Sequence, residues 1–294
     1  MASLFVDCQW SQPMSAFVVW FACLSFVSGG SLNWAHPETA GGNPLSPPGS
    51  ACRFCKCDRV YLDVGSNIGV QVRKLFEPSK FPKALVKPVF EKYFGSNRSG
   101  VCAIGFEPNP LHTLQLMRIQ ESYRMKGWYT HFYTRTAVST ANGVAVFNID
   151  NAPKNNHWGS SLVSVRSRQP AERVLVSTVN LADFILNNFS PNSTIVMKLD
   201  IEGGEFSVLP SLILSGALCA LDCVLLEWHD RYVPQGLTPP NSADGYNSKA
   251  ISRFLQTLLS HYPGCKVKLS NVDDETYHNS GIDKVALPNS LSDS

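Results

Sequence analysis

Residues 59–76 read RVYLDVGSNIGVQVRKLF, and this stretch decides the fold. A short apolar run, Arg59 to Val64, reads as a buried strand. It meets a turn bounded by Gly65 and Gly69, after which apolar residues return at helical spacing from about Val70 to Phe76. Strand, glycine turn and helix make one βα unit. Outward from it the pattern repeats. Val101 to Phe106 reads as a second strand, and the prolines of Glu107-Pro108-Asn109-Pro110 force the chain out of it before a helix from Leu111 to Met125. Thr134 to Ser139 reads as a third strand. Asn142-Gly143, ahead of Val144 to Phe147, is a hairpin-turn signal. Val179 to Leu186 has helical spacing and precedes a strand at Thr194 to Leu199. A helix ending near Leu214 follows, with Gly216 as its cap, and Cys223 to Trp228 reads as a fifth strand. Alternating strands and helices predict an α/β fold: a mostly parallel, Rossmann-like sheet with helices on both faces.

The chain has 294 residues, enough for one large α/β domain and a leader. Its formal net charge is +2 with no Lys/Arg block, so it lacks the basic stripe that nucleic-acid binding requires. The apolar run Ala16 to Val27 has the length of a signal-peptide core and is short for a membrane anchor, the second reading of residues 1–30. Residues 31–57 are rich in Pro, Gly and Ser, carry a Cys52/Cys55/Cys57 cluster, and read as a flexible linker; the catalytic domain is expected over 58–294. The cluster is open to disulfide, free-thiol or zinc readings, although no second pair of ligands follows at zinc spacing. If a leader carrying Cys8 and Cys23 is removed, seven of the nine cysteines remain, so at least one is unpaired in a monomer. Cys102 and Cys223 lie in apolar runs and read as small buried hydrophobes. Sequons at Asn97, Asn188 and Asn192 agree with a secretory route, the expected location; the alternative is cytoplasmic.

In an open parallel sheet, ligands bind at the carboxyl ends of the strands. Those ends carry Asp63, Glu107, Asp200 with Glu202, and His229. The Gly65–Gly69 turn admits close backbone approach, and Glu107 is placed to accept hydrogen bonds from ribose hydroxyls. The turn lacks the second glycine of a dinucleotide site and the lysine of a P-loop. S-adenosylmethionine has no phosphate, and its positive charges suit Asp63 and Asp200.

The chain here resembles the FkbM-type methyltransferases, class I Rossmann-like enzymes that use S-adenosylmethionine. Tyr61-Leu-Asp-Val-Gly-Ser-Asn-Ile-Gly69 is similar to the family's cofactor loop, and Gly105-Phe-Glu-Pro-Asn-Pro110 to its ribose-binding motif. Lys198-Leu-Asp-Ile-Glu-Gly-Gly-Glu205 resembles its K-x-D-x-E-G-x-E signature, and Leu226-Glu-Trp-His229 its E-x-H. The resemblance implies that Asp63, Gly65, Asn67, Gly69, Glu107 and Asp200 hold the cofactor. It also points to O-methylation of a sugar or another small hydroxyl compound. The chain departs from the usual spacing, since Glu107 follows Gly69 by 38 residues, against about 20 in the dinucleotide fingerprint. The extra segment, 77–100, reads as a packed helix in preference to a lid.

A hydroxyl acceptor needs a base. His229 is the expected one, from its ordinary pKa near 6.5, with Asp200 or Glu202 orienting it or replacing it. No third protein ligand accompanies Asp200 and Glu202, so no metal is expected. The alternatives to an enzyme of this kind are an inactive Rossmann-like binding protein and, third, a nicotinamide-dependent oxidoreductase.

Overall fold

The computed structural model describes residues 52–163, 172–232 and 247–272, together with 274, 276 and 287. The run Ala16 to Val27, the stretch 31–51 and the proline-rich loop 233–240 lie outside the described residues. In chain order the strands are β1 (Arg59–Val64), β2 (Val101–Glu107), β3 (Thr130–Thr134), β4 (Thr136–Ser139), β5 (Gly143–Ile149), β6 (Glu172–Asn180), β7 (Thr194–Leu199), β8 (Cys223–Leu226) and β9 (Lys268–Ser270). The helices are α1 (Val70–Phe76), α2 (Lys87–Phe94), α3 (Thr113–Met125), α4 (Leu181–Asn188), α5 (Glu205–Leu214) and α6 (Ser248–His261).

Six strands form one sheet in the order β3-β2-β1-β7-β8-β9, every pair parallel. Successive side chains of a strand point to opposite faces, and both faces are covered. Val60, Leu62 and Val64 of β1 enter one core cluster with Phe184, Phe206 and Leu255 from α4, α5 and α6. Tyr61, between them, enters the other with Val72, Phe90 and Leu116 from α1, α2 and α3. The Rossmann-like α/β architecture expected from the sequence is thus present. Strand order reverses between β1 and β7, which opens the crevice where such folds place ligands.

Three local readings are corrected. The strand expected at Thr134 to Ser139 is two strands, because Arg135 takes a left-handed φ of 53° and turns the chain. β3 ends at Thr134 in the main sheet, and β4 joins a separate sheet of order β4-β6-β5. The Asn142-Gly143 turn does not make a hairpin of β4 and β5. β6 lies between them, parallel to β4 and antiparallel to β5, and the Asn142 side chain accepts from Asn180 N at 2.9 Å. The helix expected from Val179 starts at Leu181, because the Asn180 side chain caps Ala182 N and Asp183 N and Val179 still belongs to β6.

The 77–100 segment is packing, as expected. It contains α2 and buries Phe81, Phe90 and Phe94, with Phe90 edge-on to Tyr61.

The cysteines settle differently from the zinc and free-thiol readings. Cys52 bonds Cys55, Cys57 bonds Cys102, and Cys219 bonds Cys265. Cys102 is therefore a bridge and not merely a buried hydrophobe; Cys223 is the free, buried one among the described residues. Closing the 45-residue separation between Cys57 and Cys102 stabilises by about 4 kcal/mol in the chain-entropy model. Residues 52–57 are not linker. Phe54 is 2% exposed, stacks on Phe189, and its N–H donates to Asn188 O.

Candidate active site

The crevice is built where β1 and β7 end side by side. Asp200 N donates to Val64 O, and Gly65 N and Ser66 N both donate to Phe106 O. The turn then runs through Gly65 (φ 89°), Asn67 (φ 47°) and Gly69 (φ 82°). A Cβ on Gly65 would stand 1.8 Å from the Asp200 carbonyl oxygen, so only glycine allows the two strand ends to meet this closely.

Register then explains the buried charge. Asp63 of β1 is the partner of Lys198 of β7, and neighbours across parallel strands share a face. Asp63 is fully buried, and neither carboxylate oxygen accepts a hydrogen bond. The Tyr61 hydroxyl faces Asp63 without a hydrogen bond of good geometry, and the Ser66 hydroxyl donates to the Asp63 main-chain oxygen. Burial pushes the Asp63 carboxyl up to about 6, with Lys198 pulling the other way. Such an unsatisfied group is costly and marks where a ligand completes a site.

At the end of β2, Glu107 is held in a closed ring of hydrogen bonds. Its two oxygens accept from Asn67 N at 2.6 Å and Asn109 N at 2.8 Å. The Asn109 amide meets His112 Nε2 at 3.3 Å, and the His112 ring bonds the Asn156 backbone, which also accepts from Asn67 Nδ2 at 3.1 Å. Burial drives His112 down to about 4 and Glu107 up to about 8, the latter against its two backbone donors. Two backbone donors do not exhaust the Glu107 carboxyl, which keeps positions free for a ligand's hydroxyls. His112 was hidden to sequence reading inside the helix expected from Leu111; only its place two residues past the Glu107–Pro110 motif hinted at a site role.

Asp200 and His229, each following a strand of one parallel sheet and so expected to meet, do so, and Glu202 joins them. His229 Nε2 lies 3.6 Å from Asp200 Oδ1, 3.5 Å from Glu202 Oε1 and 3.4 Å from Glu227 Oε1, while Nδ1 lies 3.0 Å from Glu205 Oε1. Lys198 pairs with Asp200 Oδ2. Glu205 is the buried pivot: its oxygens accept from Ile201 N at 2.7 Å and Gly203 N at 2.9 Å, which folds the Asp200–Gly204 turn over the start of α5. The roles of Glu205, Glu227 and Lys198 escaped sequence reading, although Glu205 and Lys198 stood in the quoted signature.

This surrounding revises the role of His229. Burial alone would lower its pKa, but hydrogen bonds to Glu205 and Glu227 and the fields of Glu205 and Glu202 push it up to about 11. An imidazolium at neutral pH cannot take a proton. The stability this pairing contributes is complete below the ordinary pKa near 6.5 and is lost as pH rises through about 11. Burial raises Asp200 above the ordinary carboxylate range, opposed by Lys198.

Asp200, Glu205 and His229 each offer a ligand atom within 4.8 Å of the others, a donor set that shares only Asp200 with the Asp200/Glu202 pair read from the sequence. The Glu205 oxygens are already engaged by backbone N–H groups, and the Lys198 ammonium occupies Asp200 Oδ2. This donor set serves an imidazolium better than a metal ion.

A family model described as Methyltransferase FkbM domain matches residues 63–259. Nothing among curated proteins or solved structures matches the chain.

Proposed function

Because this chain belongs to the FkbM methyltransferase domain family, we infer that it is an S-adenosylmethionine-dependent O-methyltransferase acting on an uncharged hydroxyl of a sugar or other small molecule. The observation that carries the cofactor is the pair of buried carboxylates flanking the glycine turn. Asp63 lacks a hydrogen bond of good geometry and suits a cationic ligand, while Glu107 is oriented by two backbone N–H donors with lone pairs to spare for ribose hydroxyls. Asn67, Gly65 and Gly69 supply the backbone cradle between them, and Asp200 borders it from β7. The crowd of carboxylates around His229 supports a neutral acceptor, since an anionic one would be repelled.

S-adenosylmethionine, when bound, supplies a methyl group activated by a sulfonium, so the protein's share is alignment and proton removal. Asp200 Oδ1 takes the proton of the acceptor hydroxyl. Lys198 fixes the other oxygen of Asp200, and the His229 imidazolium holds Glu202, Glu205 and Glu227 in place around it. A cell extract incubated with the protein and methyl-labelled S-adenosylmethionine should show the label on a small-molecule oxygen by mass spectrometry. Label appearing only on nitrogen, carbon or protein would overturn the assignment.

Glu107→Ala is expected to weaken S-adenosylmethionine binding about tenfold, since losing a buried hydrogen-bond partner costs roughly 1–3 kcal/mol. Calorimetry on the folded variant reads this directly. An unchanged Kd would take the ribose away from Glu107.

We also place the chain in the secretory pathway. Three disulfides suit an oxidising compartment, and the Ala16 to Val27 run and the sequons agree. No helix among the described residues is long and apolar enough to cross a membrane. Asn97 and Asn192 are exposed, whereas the Asn188 amide donates to Phe184 O at 2.9 Å. Glycan is therefore expected on Asn97 and Asn192 and not on Asn188. Secretory expression followed by glycosidase should give a mass shift that Asn97→Gln and Asn192→Gln each reduce by one step; a chain without any shift contradicts the placement.

A further inference from the structure

Part of the segment between β5 and β6 is closely built. Asn148 and Ser161 exchange backbone hydrogen bonds at 2.9 Å in both directions, closing residues 148–161 into a compact loop. Asp150 is its hub. One carboxylate oxygen accepts from Ala152 N and the other from Gly159 N, each at 3.0 Å. The Asp150 carbonyl meets His157 Nδ1 at 2.7 Å, and Asp150 N donates to the Ser160 hydroxyl at 3.0 Å.

This loop touches the active site at two places. Asn156 O accepts from the Asn67 side chain in the glycine turn and bonds the His112 ring beside Glu107. The Ser161 hydroxyl donates to Glu202 O at 2.6 Å in the acidic signature. Backbone strain gathers at the same two places. Five non-glycine residues have positive φ among the described residues, and Asn67, Asn156, His157 and Glu202 are four of them. Such conformations persist where surrounding contacts over-determine them, and they concentrate at ligand clamps.

We propose that residues 148–161 form a clasp that pins the cofactor turn at Asn67 and the acidic signature at Glu202, with Asp150 as the positioning residue that holds the clasp in shape. This rests on the S-adenosylmethionine reading above. Asp150 acts through Asn156, which sets the Asn67 side chain while Asn67 N orients Glu107. The clasp therefore governs how long the cofactor stays, more than how fast it arrives.

Binding of S-adenosylmethionine and S-adenosylhomocysteine to the full chain, by calorimetry and stopped flow, tests this. Asp150→Ala is expected to weaken both ligands about tenfold, through a faster dissociation rate, with the association rate changed by no more than about twofold. Asp150→Asn keeps one acceptor oxygen and should recover most of the affinity, a rescue that general loss of fold would not give. Ser160→Ala, which removes the hydroxyl that accepts from Asp150 N and donates to His157 O, should shift dissociation in the same direction by a smaller factor. Folded Asp150→Ala and Ser160→Ala chains that release both ligands at the wild-type rate would overturn the clasp and leave the methyltransferase reading standing. A wild-type chain that binds neither ligand would overturn both.

Discussion

Asp200→Asn is expected to lower kcat by roughly 10²–10⁴-fold, the usual range for loss of a general base. The substitution keeps the shape of the side chain but removes the charge that Lys198 and His229 face and the lone pair that accepts the proton. Because Asp200 also borders the cofactor turn, S-adenosylmethionine affinity should fall with it, by a smaller factor. The pH profile separates this reading from the one made on the sequence. A His229 base would give a rate that rises through the ordinary histidine range near 6.5. With His229 held protonated up to about 11, the rising limb instead belongs to Asp200, raised above the usual carboxylate range by burial. The rate should then fall at the alkaline end as the imidazolium loses its proton. The variant should lose the acid limb. His229→Asn should keep that limb and lose the alkaline one. Wild-type turnover in folded Asp200→Asn would pass proton removal to Glu202, which faces the same Nε2 atom at 3.5 Å.

The second large effect is expected from Gly65→Ala, a single added carbon. That carbon would stand 1.8 Å from Asp200 O and 3.0 Å from its carbonyl carbon, at a φ of +89°. Backbone cannot swing aside as a long side chain can, so β1 and β7 must separate at their carboxyl ends. Overpacking and a left-handed β-substituted residue each cost roughly 1–3 kcal/mol, together roughly 2–6 out of the 5–15 kcal/mol that a domain has. A fall in Tm on the order of 10 °C should follow. S-adenosylmethionine affinity should drop on the order of a hundredfold, because the turn that carries Asn67 moves with the strand ends. Gly127→Ala isolates the conformational share, since φ there is +73° and nothing lies within 4 Å of the added carbon. It should cost only the conformational share, roughly 1–3 kcal/mol, and leave cofactor binding unchanged. A Gly65→Ala chain as stable and as tightly binding as Gly127→Ala would show that the close approach of the two strand ends is dispensable.

Much of the fold was legible in the chain because its causes are local. The periods of apolar residues in β1, β2, β7 and β8, the glycines of the 65–69 turn and the prolines after Glu107 act over a few residues. They predict the parallel sheet and put Asp63, Glu107, Asp200 and His229 at its carboxyl edge. The meeting of Asp200 and His229 also followed from topology, as each closes a strand of one sheet. Tertiary structure decided what those groups are. The proton on His229 depends on Asp200, Glu202, Glu205 and Glu227, brought from two strand ends and a turn into one water-poor space. The Cys57–Cys102 bridge, the insertion of β6 between β4 and β5, and the reach of Asn156 to Asn67 each join segments distant in sequence. Periodicity and turn chemistry report what neighbouring residues prefer; a pKa, a disulfide partner or a strand's place in a sheet is set by fields and distances that exist only once the chain has closed on itself.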